Sequence, residues 1–168
     1  MKKILLSFMI LLLMFGCSSP KNDDKKEEEV IKDPVITYGV TFEFDGFQFT
    51  FLEDIAWTTI DNKYSDYNGK IVALIPVKVS NQSGDTGSVN MFYWNVYDAA
   101  GLEADELSSS FLMDGPKTLM FDSEMRDGAE TVLYVCVLYT GDGDYYIEFK
   151  NFEEKVEVKL PITYTEGK

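Results

Sequence analysis

Between residues 40 and 51 the chain reads VTFEFDGFQFTF, and apolar and polar side chains alternate with a period of two. Val40, Phe42 and Phe44 precede Asp45-Gly46; Phe47, Phe49 and Phe51 follow it. A period of two sends alternate side chains to opposite faces of a strand. Asp-Gly suits a type I′ turn, which needs positive φ at both central residues. The pattern therefore predicts a hairpin with Phe44 opposite Phe47 and Phe42 opposite Phe49. Six apolar side chains share one face, and Thr41, Glu43, Gln48 and Thr50 take the other.

The same period recurs along the chain. Residues 70–81 (KIVALIPVKVSN) predict a long strand with Ile71, Ala73, Ile75, Val77 and Val79 on one face. Pro76 cannot donate to a ladder, which marks an edge position or a bulge. Strands are also expected over 89–98, 130–139 and 145–150, and around Val156, Val158 and Leu160. The stretches SNQSGDTGS, DAAG and TGDGD supply turns between them. No segment sustains a helical period for three turns. About seven to nine short strands at this spacing predict an all-β antiparallel sandwich over residues 35–168.

The amino-terminal end follows another rule. Lys2 and Lys3 precede an apolar run from Ile4 to Phe15 interrupted only by Ser7. As a helix it would rise about 18 Å, short of the roughly 30 Å hydrocarbon core. A signal peptide over residues 1–16 fits better than a membrane span. Met14-Phe15-Gly16-Cys17 then resembles the lipobox of bacterial lipoproteins, with Met14 and Phe15 where that motif favours leucine and a small residue. The resemblance implies a diacylglyceryl anchor on Cys17, two acyl chains being enough for stable attachment at ~0.8 kcal/mol per buried methylene. Residues 17–34, rich in Lys, Asp and Glu, lack the apolar surface to fold and are expected to form a flexible tether reaching about 20–25 Å. The implied location is the extracytoplasmic face of a bacterial cell membrane.

Composition narrows the chemistry. The chain carries −14, and removing Lys2 and Lys3 with the leader leaves −16, a charge that repels nucleic acid and anionic lipid head groups. There is no histidine, which excludes Ser-His-Asp and Cys-His catalysis and the common zinc and copper sites. Cys136 is the single cysteine past Cys17, so a monomer has no internal disulfide, and it reads as a small buried hydrophobe. No carboxylate pair or cleft-forming element stands out, so neither an enzyme nor a bound cofactor is expected.

Several short motifs carry a resemblance. Val77-Lys78-Val79-Ser80-Asn81 ends a strand in V-x-N, Asp98 to Gly101 gives D-x-x-G, and Asp127-Gly128-Ala129 stands where a P-G-x turn is usual. With the opening hairpin, this order resembles a family of secreted bacterial lipoprotein domains of unknown function, related to an immunoprotective mycobacterial antigen. The resemblance covers roughly residues 36–150 and implies a telokin-like, immunoglobulin-like sandwich with no accepted catalytic set. Tyr134-Val135-Cys136 is also similar to the Y-x-C of immunoglobulin domains, whose tyrosine forms a corner.

Candidate sites fall in four places. NMFYWNVYD (90–98) has more large side chains than one strand face can bury. With Phe92, Trp94 and Val96 inward, Met91, Tyr93 and Tyr97 lie on the outer face as an interaction surface; the reverse arrangement is the alternative. Residues 107–121 form a long apolar connection, with a short edge strand around Thr118 to Phe121. Phe111, Leu112 and Met113 in it serve either as a lid over the core or as a binding lip. Asp142 and Asp144 in a Gly-rich turn are candidates for calcium but lack an EF-hand ligand set. Glu103, Asp105 and Glu106 read as a solvated acidic cluster. The expected function is a lipid-anchored binding module with a protein or cell-envelope partner; a calcium-capturing or solute-capturing lipoprotein is the alternative.

Overall fold

A computed structural model of the chain describes residues 35–108 and 115–166. The leader, Cys17, the tether and Phe111, Leu112 and Met113 lie outside the described residues. Eight strands follow in order: β1 (Thr41–Phe44), β2 (Phe47–Phe51), β3 (Ala56–Thr59), β4 (Ile71–Asn81), β5 (Trp94–Tyr97), β6 (Glu130–Leu138), β7 (Gly143–Lys150) and β8 (Lys155–Ile162). One helical turn, α1 (Leu119–Asp122), precedes β6.

The strands form two antiparallel sheets, one of five strands and one of three. In the larger, β2 pairs with residues 77–81 of β4, β3 with residues 71–74, and β6 with β4 along residues 72–80. The smaller has the order β5-β7-β8. The neighbours β2-β4-β6 and β5-β7-β8 reproduce the A-B-E and C-F-G pairings of an immunoglobulin sandwich.

The hairpin has the expected register, Phe44 opposite Phe47 and Phe42 opposite Phe49. Asp45 and Gly46 both take positive φ, 50° and 77°. Five of its six apolar residues are buried, while Val40 lies ahead of β1 and stays 43% exposed. Phe149 from the facing sheet closes the centre, with ring centroids 5.2 Å from Phe42, 5.6 Å from Phe44 and 4.9 Å from Phe49. A second, smaller cluster of Ile60, Val72, Leu107 and Cys136 sits on the reverse side of the β4-β6 pair. Alternate residues of these two strands face the main core, so Cys136 points away from it and is still fully buried.

Several details depart from the sequence pattern. Pro76 lies in the middle of β4, the most central strand of its sheet, not at an edge or a bulge. Its carbonyl accepts from Leu52 N–H at 2.9 Å, so its missing donor faces the gap between β2 and β3, where no ladder bond is lost. The 89–98 strand begins only at Trp94, because residues 91–93 form a 3₁₀ turn capped by Asn90. The edge strand expected over 118–121 is helical from Leu119; only Thr118 bridges β6, in parallel, at Tyr134. β3 has no clean alternation and escaped the period reading.

The tyrosine corner is also displaced. Tyr134 and Cys136 belong to β6. It is Tyr145, at the start of β7, whose hydroxyl donates to Gly141 O at 3.1 Å and accepts from Thr140 N–H at 3.0 Å. β7 holds the place of strand F, so Ile147 stands where the second immunoglobulin cysteine would be.

Candidate functional site

After β5 the chain turns at 98–101, where Asp98 Oδ1 accepts from the N–H groups of Ala100 (2.9 Å) and Leu102 (3.0 Å). Burial alone would raise the Asp98 pKa, but the bonds from Leu102, Thr140 and Ala100 outweigh it and hold it below the ordinary value. The next six residues serve both sheets. Glu103 bridges Tyr97, and Ala104 N–H donates to Val96 O at 2.8 Å, so this part pairs with β5. Glu106 then bridges Val137, Leu107 N–H donates to Cys136 O at 2.7 Å, and Leu138 N–H donates to Asp105 O at 3.1 Å, so the rest pairs with β6. A short segment thus closes the open side of the sandwich.

Register fixes where its side chains go. Residues directly opposite in a ladder share a face. Leu107 opposite Cys136 joins the smaller cluster, whereas Glu106 opposite the fully buried Val137 is turned toward the interior. The expectation that Glu103, Asp105 and Glu106 form one solvated cluster is corrected for Glu106. Its Oε1 is buried without a hydrogen-bond partner, and burial pushes the carboxyl pKa up to about 8.

Trp94 occupies the place of the core tryptophan of strand C. It is 4% exposed and stacks on Phe149 at 6.1 Å, with 15° between the rings. Its Nε1–H is the other buried side-chain polar atom among the described residues that lacks a partner. Both residues border one cavity of about 360 Å³. Met91, Val96, Ala104 and Met120 supply apolar wall, and Asn95, Glu103 and Asp105 the remaining polar lining. Most buried polar groups are satisfied, so two unmet atoms on residues that border one cavity mark a locally unsatisfied part of the fold.

The aromatic strand divides differently from the expected alternation. Trp94 and Val96 are inward, but Phe92 is 83% exposed. Tyr93 is not on the outer face: it packs against the core with its ring edge-on to Phe44 at 6.4 Å. The 3₁₀ turn rotates residues 91–93 out of the strand period, which explains both. Met91 is 36% exposed and borders the cavity, and Tyr97 is half-buried opposite Tyr146. Met91, Tyr93 and Tyr97 therefore do not form one surface.

Asp142 and Asp144 have separate partners. Asp142 Oδ1 accepts from the Tyr139 hydroxyl and from Tyr164 N–H at 2.8 Å. Those bonds hold Asp142 below the usual carboxylate range, and the shared hydrogen bond helps push Tyr139 up to about 12. Asp144 pairs with Lys159 across the β7-β8 ladder. Among the described residues no group of three potential metal ligands assembles. The motif residues also have structural roles. Asn81 Nδ2 donates to Asp85 O (2.8 Å) and Met125 O (2.9 Å), and Gly128 N–H donates to Asn81 O at 2.8 Å, tying two loops together. Cys136 is a free, fully buried cysteine, and burial, with a contribution from Glu106, pushes its thiol up to about 12.

Comparison with known proteins places the architecture. No protein-family model matches the chain, and no curated protein matches it. Solved structures with the same fold include the candidate lipoprotein ycdA of Bacillus subtilis subsp. subtilis strain 168 and the yjhA protein of Bacillus subtilis. The ycdA likeness has a TM-score of 0.54 at 14% identity, covering 72% of this chain and 38% of ycdA. For yjhA the TM-score is 0.51 at 14% identity, covering 77% of this chain and 100% of yjhA. This chain therefore spans well under half the length of ycdA, and at such identity the likeness is one of fold.

Proposed function

We propose that the protein is a lipid-anchored, extracytoplasmic binding module. Cys17 carries the diacylglyceryl group, residues 17–34 are the tether, and the sandwich takes its ligand at the cavity beside Trp94. The telokin-like kinship to the mycobacterial antigen family belongs to the same proposal. The lipobox-like Met14-Phe15-Gly16-Cys17 and the fold shared with a candidate lipoprotein support the anchor. The observation that carries the binding role is the cavity of about 360 Å³ beside Trp94, walled by Met91, Val96, Ala104 and Met120 at the margin where a short segment joins the two sheets.

Labelling cells with a radioactive fatty acid and fractionating them tests the anchor. The native chain is expected in the membrane fraction with label, and Cys17→Ser released or left with its leader uncleaved. A Cys17→Ser chain that is processed and retained as before overturns it. The binding role is tested on a full-length Trp57→Phe chain in detergent, in which Trp94 is the remaining tryptophan. A small-molecule extract of the cell envelope is expected to shift Trp94 emission, and no shift at any concentration overturns that role.

A further inference from the structure

On the other side of the sandwich from residues 103–107, a strand edge is left open. The edges of β5, β6 and β8 are each partly covered, by Glu103 and Ala104, by Glu106, Leu107 and Thr118, and by Ile36. β3 is the last strand on its side and, among the described residues, pairs with β4 alone. Ile60 N–H donates to Lys70 O at 3.0 Å, toward β4. Backbone direction alternates along a strand, so Ala56 and Thr58 also face β4, while Trp57 and Thr59 present N–H and C=O to the free edge. β3 carries neither the proline nor the charged side chain that blunts many edges. The Trp57 side chain is turned inward, because it lies opposite Ala73 and Ala73 opposite Val137, both in the main core. Its ring meets those of Tyr139 and Tyr164 edge-on, at 5.3 and 5.0 Å. Beside it is a slot of about 310 Å³. Tyr38, Ile55 and Pro161 give the slot apolar wall, Thr163 and Thr165 bring hydroxyls, and Glu53 brings a carboxyl. No lysine or arginine among the described residues borders it.

We propose that β3 takes up an extended segment of a basic protein as a further strand. The backbone of the segment pairs with Trp57 and Thr59, and a lysine or arginine of it lies in the slot. A residue opposite Trp57 shares its inward face, so alternate side chains of the guest are turned toward the slot. Lysine and arginine bring an apolar stem that suits Tyr38, Ile55 and Trp57, and a cation for the aromatic rings and Glu53. The chain's charge of −14 favours a partner of that sign. Main-chain pairing supplies affinity, and the alternate side chains supply selectivity.

The test measures, by fluorescence anisotropy, binding of a labelled peptide, Lys-Thr-Lys-Thr-Lys-Thr, to the full-length chain in detergent at physiological ionic strength. The controls are Glu-Thr-Glu-Thr-Glu-Thr and the lysine peptide with every backbone nitrogen methylated. The lysine peptide is expected to saturate and to bind about tenfold tighter than either control. If the methylated peptide binds as tightly, charge attraction alone is at work and the proposal is wrong; no saturable binding overturns it as well. Two variants locate the site. Proline is tolerated where a strand's N–H faces away from its neighbour, so Thr59→Pro should keep the native circular dichroism spectrum and lose about tenfold in affinity. Glu53→Gln should also stay native and lose about threefold. If either variant is native and binds as tightly as the parent chain, the proposal is wrong. Should Thr59→Pro unfold, the methylated peptide decides whether the edge is used. If the glycan chitotriose shifts Trp57 emission and the lysine peptide does not bind, the slot is a glycan site and the peptide assignment falls.

Discussion

The centre of the sandwich and its β5 margin share a residue and obey different constraints. Phe149 is the hub of the centre, met by Phe42, Phe44 and Phe49 from the opposite sheet, with the polar side chains of β1 and β2 on the outer face. The same ring stacks on Trp94, and beyond Trp94 packing gives way to a cavity bordered by the two residues that carry the buried unmet polar atoms. Two regular strands facing each other can align apolar period with apolar period. A segment hydrogen-bonded first to β5 and then to β6 has its side-chain directions set by both ladders, and at Glu106 that directs a carboxyl inward. The margin is thus where the fold accepts a local cost, and such places are where binding sites are found.

The comparison breaks most severely at the centre. Phe49→Ala removes a fully buried ring and is expected to cost roughly 3–5 kcal/mol, measured by urea unfolding. That is a large part of an ordinary domain stability of about 5–15 kcal/mol. A loss below about 1 kcal/mol would mean the aromatic centre is not what holds the sheets together.

An intermediate effect is expected at the margin, through pH. Glu106 rises from an ordinary 4.5 to about 8 on folding because it is buried. The folded chain therefore holds this proton more tightly than the unfolded chain. Its stabilising contribution is complete below about pH 4.5 and is lost as pH rises toward about 8, by up to about 1.4 kcal/mol per unit. Glu103 and Asp105 border the same cavity, and Cys136 faces it electrostatically without titrating in this window. Asp98 has the opposite sign: its lowered pKa contributes stability that is lost on acidification below the ordinary 3.8. Unfolding midpoints taken between about pH 5 and 8 should fall for the native chain, and Glu106→Gln should flatten that slope. An unchanged slope in the variant would show Glu106 to be hydrated in the folded protein.

The smallest effect sharpens the boundary of the margin. Phe92 is 83% exposed at the 3₁₀ turn, two residues before the buried Trp94. Phe92→Ala should change stability by no more than about 0.5 kcal/mol in the same unfolding measurement. A larger loss would mean that the alternation of β5 extends through residue 92 after all.

Much of the fold was legible because period two is a local property. The hairpin register, the inward faces of β4 and β6, and an antiparallel sandwich of about seven to nine strands followed from alternation and turn chemistry alone. Tyr93 was misplaced because a 3₁₀ turn interrupts that alternation without an obvious local signal. The corner went to Tyr134 because Y-x-C is visible in sequence, whereas Tyr145 earns the role only by standing at the start of β7 with Gly141 O in reach.

The candidate site was the least legible part. Nothing in ADEL (104–107) separates Glu106 from its acidic neighbours, and nothing in the sequence brings it to the same cavity as Trp94. The sequence by itself determined most of the strands, which of their faces are apolar and how acidic the chain is, since each depends on composition or on neighbours a few positions apart. Only the tertiary structure decided that Pro76 is central, that Cys136 packs in the cluster on the reverse side of the β4-β6 pair and that Glu106 and Trp94 border one cavity. Those outcomes depend on which strand lies opposite. Pairing a segment with Val137 some thirty residues away turns one side chain in and the next one out.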